Sequence, residues 1–255
     1  MAMNPMEQFE VKPAMGMDHP LFSIAGHPIY FTNQALLMVL VTGLTSLFLI
    51  LAVKPGRIVP TRSQSMAEMS YEFVANMIHT TTGEKGLKFF PFIFTLFMFV
   101  LLSNFLSLIP GSFAVTGQIC ITFALACLVI LTVIITGLRR HGFGFFKLFV
   151  PHAPLWILFV LVPIEIMSFL IRPMSLSVRL FANMLAGHTM LAVFAGFVVM
   201  LLGTGSALSA IAIGPMLLIV AITLLELLIA FLQAYVFAIL TCIYLGEAIH
   251  LHDNH

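Results

Sequence analysis

The sequence predicts an all-α, polytopic membrane protein, and two observations carry that reading. Of its 255 residues, 61% are apolar and only 8% are charged, where a soluble domain has about 45–50% and about 25%. The apolar residues also gather into runs long enough to cross the hydrocarbon layer as helix, which takes about 20 residues. Mean hydropathy is +1.12. A surface so poor in charge cannot stay dispersed in water, and a net charge of +1 leaves no basic patch for nucleic acid. Cys120, Cys127 and Cys242 lie inside apolar runs. They read as packing residues, not as a disulfide or a metal set.

Residues 1–30 form an acidic, extended arm. Glu7, Glu10 and Asp18 outweigh Lys12, prolines recur, and neither a secretory signal nor an Arg-rich transit peptide is evident. The first span is 31–53, stopped by Lys54-Pro55-Gly56-Arg57. Residues 54–88 are a basic loop containing an amphipathic helix. Met66, Met69, Phe73 and Met77 recur at steps of three and four, with Glu68, Glu72 and Asn76 on another face. Ser65 and Glu68 have the spacing of a capping box. The helix is read as lying on the membrane surface, with packing on another subunit as the alternative. Residues 89–138 make a transmembrane hairpin turned at Pro110-Gly111, and 139–147 is a second basic loop. Lys54, Arg57, Arg62, Lys85 and Lys88 crowd one loop, and Arg139, Arg140 and Lys147 the other. By the positive-inside rule both are cytoplasmic and the N-terminal arm is outside.

Residues 148–247 are less regular, and 248–255 are a tail. Arg172-Pro173 and Gly203-Thr204-Gly205-Ser206 divide this region into three stretches, which hydropathy alone would count as three spans. Met174–Leu202 would be about 44 Å long and Ser206–Glu247 about 63 Å. Neither stands upright in a layer about 30 Å thick, so both are expected to be strongly tilted, to bend (Pro215 allows it) or to run partly in the plane.

This region also carries polar residues within or beside its apolar stretches: Glu165, Arg172, Arg179, His188, Glu226 and Gln233. A charge at mid-helix costs about 2.5–3.5 kcal/mol on insertion scales, so such residues face water-filled cavities or partners. On a helix Arg179 heads a face of small residues, Ala182, Asn183, Ala186 and Gly187, that lets another helix approach. His188 points to roughly the opposite side. Glu226, Ala230, Gln233 and Phe237 share one face of the last helix. For Arg179 the bland alternative is a structural ion pair with Glu165 or Glu226; for His188, a satisfied core histidine. Pro173 interrupts the phase between Glu165 and Arg179. Arg172 also reads as an interfacial anchor, and Asn104 as structural. No phosphate loop, dinucleotide fingerprint, zinc-protease motif or nucleophile elbow is present, nor paired histidines for haem.

The run Ser175-Leu176-Ser177-Val178-Arg179-Leu180-Phe181-Ala182-Asn183-Met184, extended by Ala186-Gly187-His188 and by Glu226 with Gln233, resembles the subunit a family of the F-type ATP synthase membrane sector (ATPase subunit 6 in mitochondria). The likeness covers roughly residues 28–250. Histidine at 188 with glutamate at 226, the reverse of many bacterial members, is similar to alphaproteobacterial and mitochondrial members. The resemblance implies about five net crossings, with 148–202 making one, and a multi-pass protein of a bacterial inner membrane. It implies protons moving through two half-channels to and from carboxylates on a rotating ring of c subunits, coupled to ATP synthesis. Arg179 would stand between the half-channels, and Glu226, His188, Asn183, Gln233 and Glu165 would line them. The implied partners are the c-ring, b-type peripheral-stalk subunits, membrane lipid and, indirectly, the catalytic head. No metal, cofactor or nucleic acid is implied, and the subunit is not catalytic by itself. A self-contained transporter would show an internal repeat, and the Arg179 motif has no counterpart in the first half. A structural anchor would have no reason to keep Arg179 and Glu226.

Overall fold

Six α-helices follow a short β-hairpin among the described residues, which in this computed structural model are 22–24, 27–52, 61–109, 114–142, 144–145, 155–203 and 211–249. Lys54, Arg57, Lys147, most of the N-terminal arm, the Pro110-Gly111 and Thr204–Ser206 turns and residues 250–255 of the C-terminal tail lie outside them, while Ala248 and Ile249 of that tail belong to the last helix. The hairpin pairs β1 (Phe22–Ile24) with β2 (His27–Ile29) in antiparallel register. It is the one sheet among the described residues, and the class remains all-α.

α1 (Asn33–Ala52) carries no charge. Thr32 caps it, its Oγ1 accepting from the Ala35 N–H at 3.3 Å. Within it Thr42, Thr45 and Ser46 donate to the carbonyls four residues back, which hides their hydroxyls from an apolar surrounding. α2 (Arg62–Thr82) begins three residues before the expected capping box. Ser65 is already inside the helix, its N–H bonded to the Thr61 carbonyl, and Glu68 accepts from Gln64 instead. The buried face of α2 is Ala67, Val74, Met77, Ile78 and Thr82, while Met66 and Met69 are exposed. The apolar arc is therefore wider than the methionine stripe, and only part of it is covered.

A 3-10 segment (Glu84–Phe89) leads into α3 (Phe90–Ser107). Pro91 sits in the first turn, where its missing N–H breaks no helical bond. α4 (Ile119–His141) starts later than the apolar run from Phe113 suggests, because Val115–Gly117 form a buried 3-10 turn. Arg139, Arg140 and His141 close α4 at the end where cations meet the negative pole of the helix dipole. Gly142 follows at φ +55°, a left-handed position suited to a helix stop.

α5 (Leu155–Gly203) and α6 (Ile213–Ile249) are the long elements, 49 and 37 residues, about 74 and 56 Å of helix. The break expected at Arg172-Pro173 is absent: Pro163 and Pro173 both lie inside α5. Membrane helices tolerate interior proline because one lost N–H bond can be offset by neighbouring helices and hydroxyl side chains. Pro215 offers no bend either, since it occupies the first turn of α6. Among the described residues five segments are long and apolar enough to cross a membrane: Asn33–Ala52, Glu84–Ser107, Ile119–His141, Trp156–Gly203 and Ile213–Ile249. Large apolar side chains point outward along them, such as Phe159 at 85% exposed and Ile50 at 72%. In water such a surface would aggregate; in lipid it is solvated. The chain is a multi-pass membrane protein.

The chain falls into two compact units, one of Met1–Phe48, Phe99–Gln118 and Leu180–Gln233, the other of Leu49–Met98, Ile119–Arg179 and Ala234–His255. In the second, Val133, Phe145, Leu245, Ala248 and Ile249 form a core. Thr82 Oγ1 ties α2 to the Cys242 carbonyl of α6 at 3.2 Å, and Thr122 Oγ1 and Ser177 Oγ join α4 to α5 at 3.1 Å. Past Gly142, Phe145 lies on Gly137, where any Cβ would strike its ring. Gly137→Ala should therefore lower the thermal midpoint of the detergent-solubilised protein by an overpacking cost of about 1–3 kcal/mol. Adding Phe145→Leu should recover most of it. Equal midpoints for Gly137→Ala and the parent would contradict that packing.

Candidate functional site

Helical phase decides what α5 shows and what it hides. Leu176, Leu180, Met184 and His188, each four residues after the last, are buried. Arg179, Ala182, Asn183 and Ala186 lie on the other side and are exposed. Arg179 belongs to the second unit, where the unbroken helix places Glu165, Arg172 and Arg179 at seven-residue steps on nearly one face. Expecting a break at Pro173 hid that alignment. Arg172 is neutralised: it forms an ion pair with Glu247 of α6, and its guanidinium lies 5.1 Å from the centre of the Tyr244 ring. Glu247 and Tyr244 were not singled out from sequence. An acidic residue near the end of an apolar run looks like a boundary, and only the α5–α6 contact makes it a partner. Glu165 is half-buried and, like Arg179, forms no ion pair and no hydrogen bond among the described residues.

The first unit gathers the other polar residues. Glu226 and Gln233 are 6% and 5% exposed on one face of α6, with Ala230 between them at 3%. His188 Nε2 lies 3.9 Å from Glu226 Oε1. One turn earlier on α5, Asn183 Nδ2 donates to Gln233 Oε1 at 3.0 Å. Gly187 permits this approach: a Cβ there would stand 2.5 Å from Glu226 Oε1. The small-residue face thus admits a neighbour at Gly187, and that neighbour is the α6 carboxylate. Asn104, Asn183, Glu226 and Gln233 line one small pocket with Leu180, Met184, Ile229 and Ala230. Neither carboxylate oxygen of Glu226 nor Nε2 of Gln233 has a hydrogen-bond partner among the described residues.

Four of the six candidate residues, His188, Glu226, Asn183 and Gln233, are therefore brought into one cluster. Arg179 and Glu165 lie on the other unit. The cluster sets a carboxylate and an imidazole 3.9 Å apart beside a hydrogen-bonded amide pair, Asn183 with Gln233. It has no hydroxyl or thiol nucleophile, and no group of three metal-ligating side chains occurs among the described residues.

A family model described as ATP synthase A chain matches residues 35–246. ATP synthase subunit a of Mesorhizobium japonicum is 52% identical over 248 residues, 97% of this chain and 96% of that protein. The subunit of the same name from Chelativorans sp. is 53% identical over 251 residues, 98% of this chain and 99% of that protein. That of Hyphomonas neptunium is 50% identical over 250 residues, 98% and 97%. A match across nearly all of every sequence, spanning both the α5 and α6 polar residues, decides the family: the chain belongs to the ATP synthase A chain family, as its multi-pass membrane subunit a.

Proposed function

We propose that this chain conducts protons through two half-channels, to and from carboxylates on a rotating ring of c subunits, and so couples proton flow to ATP synthesis. The observation that carries the reading is Arg179, a guanidinium exposed and without an ion pair among the described residues, on an apolar helix and heading a face of small residues. A charge left there has a cost of about 2.5–3.5 kcal/mol in hydrocarbon. A carboxylate brought by a partner helix removes it. Arginine suits the task because its guanidinium stays protonated and forks onto carboxylates. It would draw the deprotonated ring carboxylate forward and bar a direct proton path between the half-channels.

Glu226 and His188 would pass protons along one half-channel, with Asn183 and Gln233 holding their orientation; Glu165 would line an aqueous path as well. The only bonds the subunit itself would make and break are those to the protons it passes. Its partners would be the c-ring, b-type peripheral-stalk subunits and lipid, with the catalytic head contacted indirectly. The reading places the chain in a bacterial inner membrane with residues 1–30 outside, 54–88 and 139–147 in the cytoplasm, and 148–247 as the translocating region.

Inverted membrane vesicles test this. Arg179→Ala should abolish ATP synthesis while passive proton leak persists or rises. Arg179→Lys should also fail, having lost the planar fork, and ATP hydrolysis by the detached head should survive in both. Normal synthesis in Arg179→Ala would reduce the residue to a structural cation and end the proposal.

Two further outcomes concern the acidic cluster. Glu226→Gln should cut proton flux strongly, and the exchange His188→Glu with Glu226→His should restore part of it. A double variant no better than the worse single one would break the pairing. Gly187→Ala should lower flux about tenfold by displacing the Glu226 carboxylate. Gly196→Ala, where a new Cβ meets nothing within 4 Å, should not; equal flux in the two variants would contradict the close approach.

A further inference from the structure

In the connection between α3 and α4, residues 114–117 are buried where a loop would ordinarily be exposed. Val115 is 2% exposed and Thr116 0%, and Gly117 is buried with them. Thr116 Oγ1 donates to Asn104 Oδ1 at 2.9 Å. Asn104, on α3, is itself 0% exposed. With its amide oxygen taken by Thr116, its NH₂ turns the other way and donates to the Ala230 carbonyl of α6 at 3.2 Å. A helical carbonyl keeps a second lone pair beyond its own helical bond, so the contact leaves α6 intact. Ser107 Oγ donates to the Asn104 carbonyl at 2.6 Å and thereby ties down the end of α3. All of these groups belong to the first unit.

Ala230 lies four residues after Glu226 and three before Gln233, on the same buried face. A bond to its carbonyl therefore fixes which way α6 is turned about its axis where those two side chains leave it. An asparagine in an apolar helix is costly unless both ends of its amide are satisfied, and here both are. An amide held at both ends cannot swing. We propose that Asn104, locked by Thr116, is a positioning residue that sets the rotation of α6 so that Glu226 and Gln233 face Asn183 and His188. Asn104 carries no proton itself. The inference rests on the proton-conducting function proposed above.

Thr116→Val removes the hydroxyl at nearly constant shape, and Thr116→Ser keeps it. Both, with Asn104→Leu, are measured in inverted vesicles holding the whole complex. The readouts are ATP-driven pumping and passive flux after head removal, per assembled complex, over a pH series. Thr116→Ala serves in the same way should valine lower assembly. Thr116→Val should reduce flux about three- to tenfold, the scale of one buried hydrogen bond, and shift the pH of half-maximal flux, because the carboxylate–imidazole pair is turned. Thr116→Ser should stay within about twofold of the parent. The double variant should be no worse than Asn104→Leu alone, since both act on one bond. Parental flux and pH profile in Thr116→Val, a loss without a pH shift, or losses that multiply in the double variant would each overturn the relay. Arg179→Ala run beside them separates the two claims. If it spares synthesis, the function falls; if it abolishes synthesis while Thr116→Val changes nothing, only the relay falls.

Discussion

At Gly187 the backbone of α5 has no side chain, and the carboxylate of Glu226 lies against it. Much of the first unit follows from that contact. A carboxylate 6% exposed needs a group that answers its charge, and His188, the next residue on α5, stands 3.9 Å away. Once α6 approaches this closely, Gln233 comes within reach of Asn183, two turns along. The carbonyl between them, at Ala230, is then near enough to α3 for Asn104 to hold it. Asn183, Gln233 and Asn104 thus bond across helices, as polar groups on apolar helices tend to do. A methyl group at residue 187 would strike first at the carboxylate that anchors the set.

Two arginines on α5 show how the same residue type is put to different uses. Arg172 and Arg179 are seven residues apart, on nearly one face of a continuous helix. Arg172 is paired with Glu247 and stacked by Tyr244, so it fastens α5 to the end of α6 and its charge is answered within the chain. Arg179 is exposed, with small residues beyond it. A charge answered inside the chain serves packing. One left exposed on a membrane helix is the kind of charge that the proposed passing carboxylate would answer.

The class of fold was legible in composition and in the length of the apolar runs, because lipid makes both compulsory. The candidate residues were legible for the same reason: Arg179, His188, Glu226 and Gln233 are costly where they stand, and cost marks them without any knowledge of partners. The shared face of Glu226, Ala230, Gln233 and Phe237 followed from helical period and is buried at all four positions. Less was legible wherever a local rule met tertiary context. Pro173 reads as a break, yet α5 runs through it. Pro215 reads as a bend, yet it opens a helix. Ser65 and Glu68 have cap spacing, yet both lie past the first turn of α2. Glu247 looked like a boundary, and Thr116 is an ordinary threonine in a connection. Their roles depend on residues 75 and 12 positions away, which no local pattern encodes.

The central claim is that the exposed α5 face headed by Arg179 is the one the ring carboxylates pass. Cysteine cross-linking tests it most directly, with one cysteine beside the ring carboxylate and a second at Ala182 or Ala186, on the exposed face, or at Leu180 or Met184, on the buried one. Under oxidation in native membranes, the first two positions should give disulfide-linked products with the ring subunit, and the last two should give none. Cross-links at Leu180 and Met184 with none at Ala182 and Ala186 would contradict the account.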